Sequence, residues 1–153
     1  MRRSELEIKE TGELEAIIQR AQICRIGLSE NDNPYIVPMN FGYKDNCLFF
    51  HCAKEGKKID IIKYNNKVCF EIDADNEIVK AEEQPCRWSA KYRSIIGFGT
   101  ASIIEDAHEK SAALNIIIEH YGGNRYDFSE EELEKVCIIK IQIDSMTGKK
   151  AGY

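Results

Sequence analysis

Residues 49–66 read FFHCAKEGKKIDIIKYNN, a run that carries an imidazole, a thiol and two adjacent cations. His51 could serve as a general acid or base, or as a metal ligand. A polar ring at a strand end, hydrogen-bonded to backbone, is the commoner arrangement for such a residue. Cys52 follows it directly, and on an extended strand the two side chains leave opposite faces, so only one can point squarely at a ligand. Gly56 then leads into Lys57 and Lys58 at the start of a helical pattern with Ile59, Ile62 and Ile61 directed inward. Cations at a helix N-terminus oppose the macrodipole by roughly 0.3–1 kcal/mol each at exposed positions. A bound phosphate removes that conflict, because it takes up both lysine charges and the free N–H groups of the first turn. Many solvated helices also begin with lysine, so both readings stand on these residues alone.

Three further stretches could carry chemistry. IVPMNFGY (36–43) places Pro38, which lacks an N–H, close to the amide of Asn40, a backbone and side-chain combination that suits the edge of a planar heteroaromatic; a plain edge strand reads the same way. GFGTAS (97–102) resembles the opening of a dinucleotide fingerprint, but Ser102 stands at the third glycine position and the following residues stay strand-like. A Rossmann turn must open a helix, so that reading is rejected. Cys47 and His51 share one strand face, yet there is no Cys-x-x-Cys, and His108 and His120 lie on a distant helical stretch. The expectation is therefore no metal site. Cys24, Cys47, Cys69 and Cys137 fall inside strands, where reduced cysteine behaves as a small apolar residue.

The elements that must hold these groups can be read from periodicity. GELEAIIQRA (12–21) sets Leu14, Ile17, Ile18 and Ala21 at helical spacing. Strands are expected over 22–29, 34–43 and 47–52, joined by the turn residues ENDN and KDN as an antiparallel meander. A short helix at 57–65, strands at 67–73 and 92–105, a long helix at 107–122 closed by Gly122-Gly123, and a strand at 136–144 complete the chain. Pro38 implies an edge or a local opening. Gly97 and Gly99 share one strand face and imply a bend or a close approach. About six strands with sparse helices point to a small barrel with helices at its periphery.

The 153 residues, 43% hydrophobic, suffice for one domain spanning 1–153. No linker or internal repeat divides them. A net charge of −5 argues against a general nucleic-acid surface, so any anion site must be local. Neither a membrane-length apolar run nor a signal-like apolar segment behind MRRSELEIKE is present, which leaves the cytoplasm as the default expectation and a membrane partner unexpected.

Taken together, MRRSELEI, CRIGLSENDNPYIVPMNFGY, LFFHCAKEGKKIDII, VCFEID, RSIIGFGTASIIED and IKIQIDSMTGK resemble the flavin-binding split-barrel superfamily that includes pyridoxamine 5'-phosphate oxidase, and within it the nitroimidazole-resistance (Nim-type) proteins. The resemblance covers nearly the whole chain. It implies a mainly β fold, a six-stranded antiparallel split β-barrel with peripheral helices, assembled as a homodimer with FMN at each end of the interface. It also implies that Val37, Pro38, Met39 and Asn40 lie along the isoalloxazine ring, that His51, Cys52 and Ala53 lie near the ribityl chain and phosphate, that Lys57 and Lys58 are the phosphate-binding pair, and that Ser94 is a polar contact from a further strand. In the Nim-type group the histidine matching His51 stands near the flavin, which makes it the candidate catalytic residue.

Two departures bear on activity. The oxidase branch has basic residues at both ends of the strand matching Tyr35 to Asn40, and neither end is basic here. The chain closes on SMTGKKAGY, without the oxidase's substrate-binding segment. Oxidation of pyridoxamine phosphate is therefore not expected. The resemblance implies an FMN-dependent oxidoreductase passing electrons to a small acceptor such as a nitroaromatic, with NADH or NADPH as a candidate donor. The alternative is a split barrel that holds flavin or haem without turnover, since one fold supports both.

Overall fold

The alternation of Cys24, Ile26 and Leu28 with Arg25, Gly27 and Ser29 decides which way the first long strand faces. In the computed structural model, which describes residues 3–82 and 84–153, the first three side chains are buried and Arg25 is exposed. Met1 and Arg2 of the opening MRRSELEI lie outside the described residues. The same logic builds an antiparallel sheet from β1 (Glu7–Ile8), β2 (Cys24–Glu30), β3 (Asn33–Met39), β4 (Gly42–Lys44), β5 (Cys47–Cys52), β6 (Lys67–Val79), β7 (Ser89–Ile104) and β8 (Cys137–Ala151). Its order is β3-β2-β6-β7-β8-β5-β4, with β1 paired to β8. The sheet curls as a split barrel whose edges are β3 and β4. β1 and β4 are only two and three residues long, so the six long strands are the six expected.

α1 (Thr11–Arg20) buries Leu14, Ile17 and Ile18. α2 (Lys57–Tyr64) buries Ile59, Ile61 and Ile62, and its end is tied to β2 by Asn65 Nδ2 donating to Ser29 O at 3.1 Å. With Phe41, Phe50 and Phe70 these residues form one continuous core. α3 (Ala107–His120) lies against the other face of β5, over Phe49, Ile104 and Ile138. α4 (Glu130–Glu134) is a single capped turn that was not expected from periodicity.

The expected three-strand meander is met only in part. β2 and β3 pair, but β5 pairs with β4 and β8 rather than with β3. The chain breaks at Asn40: Phe41 is fully buried, and Gly42 packs so closely on α3 that an added Cβ would stand 2.8 Å from the backbone of Ile116. That redirects the chain into β4, which turns into β5 through Asp45 and Asn46, both at positive φ as a two-residue hairpin of that hand requires. β3 is thereby left an edge strand, which accommodates Pro38.

Gly97 is explained from within. A Cβ there would meet the Phe70 ring at 2.1 Å, so the close approach is made by the core itself. The ladder shifts register between Phe98 and Gly99, supplying the bend. All six cysteines are free thiols. Among the described residues, no helix is long and apolar enough to cross a membrane.

Candidate functional site

The start of α2 is the candidate anion site. Gly56 holds φ 127°, a conformation that a side chain would strain, and no side chain caps the helix. Ile59 N–H and Asp60 N–H both turn back to Gly56 O, at 2.8 and 3.2 Å, which leaves the N–H groups of Lys57 and Lys58 as the free donors of the first turn. The first turn thus carries two lysines and two free N–H groups. Lys57 Nζ lies 4.7 Å from the centroid of the Tyr35 ring, which brings the helix start to the beginning of β3. Tyr35 was not singled out from sequence; only the approach of β3 to α2 reveals it.

Along β3, Val37 and Met39 lean on the core while Pro38 is exposed, and among the described residues β2 is the strand's one sheet partner. The backbone on the other side is open for hydrogen bonding to a ligand edge. Asn40 ends the strand with its amide toward α3: Nδ2 lies 3.4 Å from Tyr121 Oη. That hydroxyl donates to Gln22 O at 2.6 Å and accepts the Phe41 N–H at 3.1 Å. Tyr121 is a second residue that the sequence reading missed, because it follows a helix end with no motif around it.

On β5, His51 is exposed, whereas Cys52 is half-buried against the core and sits opposite Cys137 of β8. The Cys52 thiol is pushed up to about 11, first by burial and further by its cysteine neighbour, with Lys58 acting in the opposite sense. Ala53 is exposed in the turn that climbs to Gly56. The structure thus brings Tyr35, Cys52, Lys57 and Lys58 to one end of the β3 edge, with Val37 to Asn40 running away from it.

Ser94 is not part of that cluster. Ile104 of β7 pairs with Ile138, which pairs with His51, and Ser94 lies ten residues earlier on β7, about 33 Å of strand away. It lines a separate groove of about 370 Å³ with Glu7, Ile96, Thr147 and Lys149.

The outer face of the sheet carries an apolar row. Ile36, Gly27, Cys69 and Phe98 are direct neighbours across four strands, with Ile36 67% and Phe98 56% exposed. Beside it Arg25 pairs with Glu71 at 3.0 Å and also with Asp73. Burial raises the Glu71 carboxyl above its ordinary range while the Arg25 hydrogen bond opposes that shift.

The pyridoxamine 5'-phosphate oxidase family profile matches residues 10–150. A solved structure from Bacteroides thetaiotaomicron, of a protein whose name proposes a role in 5-nitroimidazole antibiotic resistance, is 36% identical over 95% of this chain and 86% of that one, with a TM-score of 0.84. The flavocytochrome Anf3 of Azotobacter vinelandii (16% identity, 100% and 72% coverage, TM-score 0.83) shares the fold. So does a FAD- and haem-binding protein of Mycobacterium smegmatis (18% identity, 96% and 74% coverage, TM-score 0.81). Among curated proteins none matches this sequence.

Proposed function

The chain belongs to the pyridoxamine 5'-phosphate oxidase family, and from that premise we propose that it is an FMN-dependent oxidoreductase that passes electrons to a small acceptor such as a nitroaromatic. The observation that carries this reading is the uncapped start of α2, which bears Lys57 and Lys58 and leaves their N–H groups free. A flavin phosphate is a dianion of the size and charge that this corner neutralises. From there the ribityl chain would pass Cys52 and Ala53, and the ring would lie along Val37, Pro38, Met39 and Asn40, where the open strand edge supplies backbone partners.

When bound, FMN supplies the electron transfer itself. The protein's part is to anchor the phosphate, hold the ring and place an imidazole beside it. His51, exposed on β5, is the group for that last task, either donating a proton or stabilising negative charge. The apolar row of Ile36, Cys69 and Phe98 suits a second copy of the chain, giving a homodimer. Ser94, far from α2 along its own chain, would then meet the flavin held by the other subunit.

The test compares two ligands. Changing Lys57 and Lys58 together to Ala should weaken FMN binding by roughly 1.5–3 kcal/mol for each charge-assisted hydrogen bond lost, while riboflavin, lacking the phosphate, binds as before. Equal losses for both would reject the phosphate assignment. Oxidation of NADH or NADPH coupled to nitroaromatic reduction by the flavin-loaded protein checks turnover, and a haem Soret band in place of flavin absorption would remove the FMN reading.

A further inference from the structure

Two thiols that the proposed chemistry does not use face each other across the β5–β8 ladder. Cys52 is the last residue of β5 and Cys137 the first of β8, and they occupy directly opposed positions. Ile143 N–H donates to Asn46 O at 3.1 Å in the same ladder. Counting in twos from that pair makes Cys52 and Cys137 a hydrogen-bonded pair, with Cα atoms about 5.5 Å apart. Disulfides span roughly 4.4–6.8 Å between Cα atoms but only about 3.5–4.5 Å between Cβ atoms, whereas opposed Cβ atoms of a hydrogen-bonded pair stand about 5.5 Å apart, so the two strand ends must draw together by about 1 Å for these two to join. Both side chains leave the inner face, Cys52 half-buried and Cys137 buried.

Access comes from two sides. Cys52 is open at the rim of the barrel, and Cys137 lines a cavity of about 210 Å³ together with Lys54, Ile59 and Lys63. By contrast Cys24 is fully buried with no cysteine opposite it, and Cys86 lies exposed on a connection between β6 and β7.

We propose that Cys52 and Cys137 form a two-thiol modification site, which a small disulfide such as oxidised glutathione converts to an intramolecular cross-strand disulfide. Cys52, the more accessible, attacks one sulfur of the oxidant. A mixed disulfide forms, the oxidant's S–S bond breaks, and one thiol leaves with its proton. Cys137 then attacks the Cys52 sulfur, forming the Cys52–Cys137 bond and releasing the second thiol. Two protein thiols are oxidised and one disulfide is reduced to two thiols.

The chemistry has a definite tempo. Burial disfavours the Cys52 thiolate, the attacking species, so oxidation at neutral pH is slow and quickens about tenfold per pH unit until the thiol titrates near 11. Cys52 borders the path proposed for the ribityl chain, so bound FMN would shield it and slow the reaction, but the opposition of the two thiols does not rest on that reading.

The experiment uses the full chain carrying Cys86→Ser, which removes the exposed thiol and leaves five. The protein is incubated with oxidised glutathione at a series of pH values, alkylated, digested without reduction and mapped by mass spectrometry. Two of the five thiols should be lost, the Cys52 and Cys137 peptides should appear linked with loss of two hydrogens, and the rate should climb with pH. Adding Cys137→Ser should abolish the link and leave Cys52 as a stable mixed disulfide with glutathione. Persistent glutathione on Cys52 while Cys137 is intact, or a reaction confined to Cys69, overturns the proposal. So does a link between two chains through Cys52. If the Cys137 variant does not fold, the peptide map of the parent protein decides alone.

Discussion

At the scale of single residues, the two sides of β5 do different work. Cys52 packs inward and His51 stays in solvent, so the imidazole is the group free to meet a ligand. His51→Ala should keep FMN bound, because the phosphate anchor proposed at Lys57 and Lys58 is elsewhere, yet lower the flavin midpoint potential and slow reduction of the acceptor. Spectroelectrochemistry and stopped-flow measure both; an unchanged potential and rate would remove His51 from the chemistry. Gly97 gives a structural counterpart. Alanine there places a Cβ 2.1 Å from the fully buried Phe70 ring, an overpacking that should cost about 1–3 kcal/mol. Adding Phe70→Leu should recover part of the loss, since the two positions share one space. Simple additivity in urea unfolding would contradict the contact.

Among the elements, the least obvious device is the end of α3. His120 donates through Nε2 to Ala21 O at 2.8 Å and lies 4.5 Å from the Phe41 ring, while Tyr121 ties Gln22, Asn40 and Phe41 together through one hydroxyl. That staple fixes where β3 stops and β4 begins, and so where the candidate ring-binding strand ends. Tyr121→Phe keeps the ring but strands the N–H of Phe41, so stability should fall by about 1–3 kcal/mol. A lowered urea midpoint with unchanged slope is the expected signature. No change in the midpoint would show that the hydroxyl is dispensable. α4 shows what local chemistry can do unaided: Ser129 and Glu132 cap each other at both ends of a capping box. The SEEE run carried that signal, although five residues are too few to show a helical period.

For the whole molecule, the question is what covers the outer row. Ile36, Gly27, Cys69 and Phe98 come from four strands, and no two of them are neighbours in sequence. If a second copy covers them and the flavin lies between subunits, then cofactor affinity and dimerisation are linked, because a ligand that binds only the dimer must stabilise it. Phe98→Glu should therefore yield a monomer by sedimentation and weaken FMN binding in the same preparation. A monomer that still binds FMN at full affinity would place the site within one chain.

Sequence alone determined most of the elements and where the candidate site residues fall on them. Leu14, Ile17 and Ile18 announce α1 at helical spacing, the alternation in 24–29 announces β2, and Gly56 followed by Lys57-Lys58 announces a helix that starts with two cations. These are properties of a few consecutive residues, and backbone geometry fixes their period. The outer reaches of β6, β7 and β8 escaped the reading because they lack alternation; they are held by pairing with one another, as Glu77 pairs with Lys91 and Tyr92 with Ala151. Only the tertiary structure decided that β8 would lie between β7 and β5, that β3 would be left as an edge, that Lys57 would reach Tyr35, and that Cys52 would face Cys137. The physical reason is that strand neighbours are chosen by the burial of the entire core at once. Register, curvature and the crossing of α2 sum contributions from distant segments, and no single stretch of the chain carries that sum.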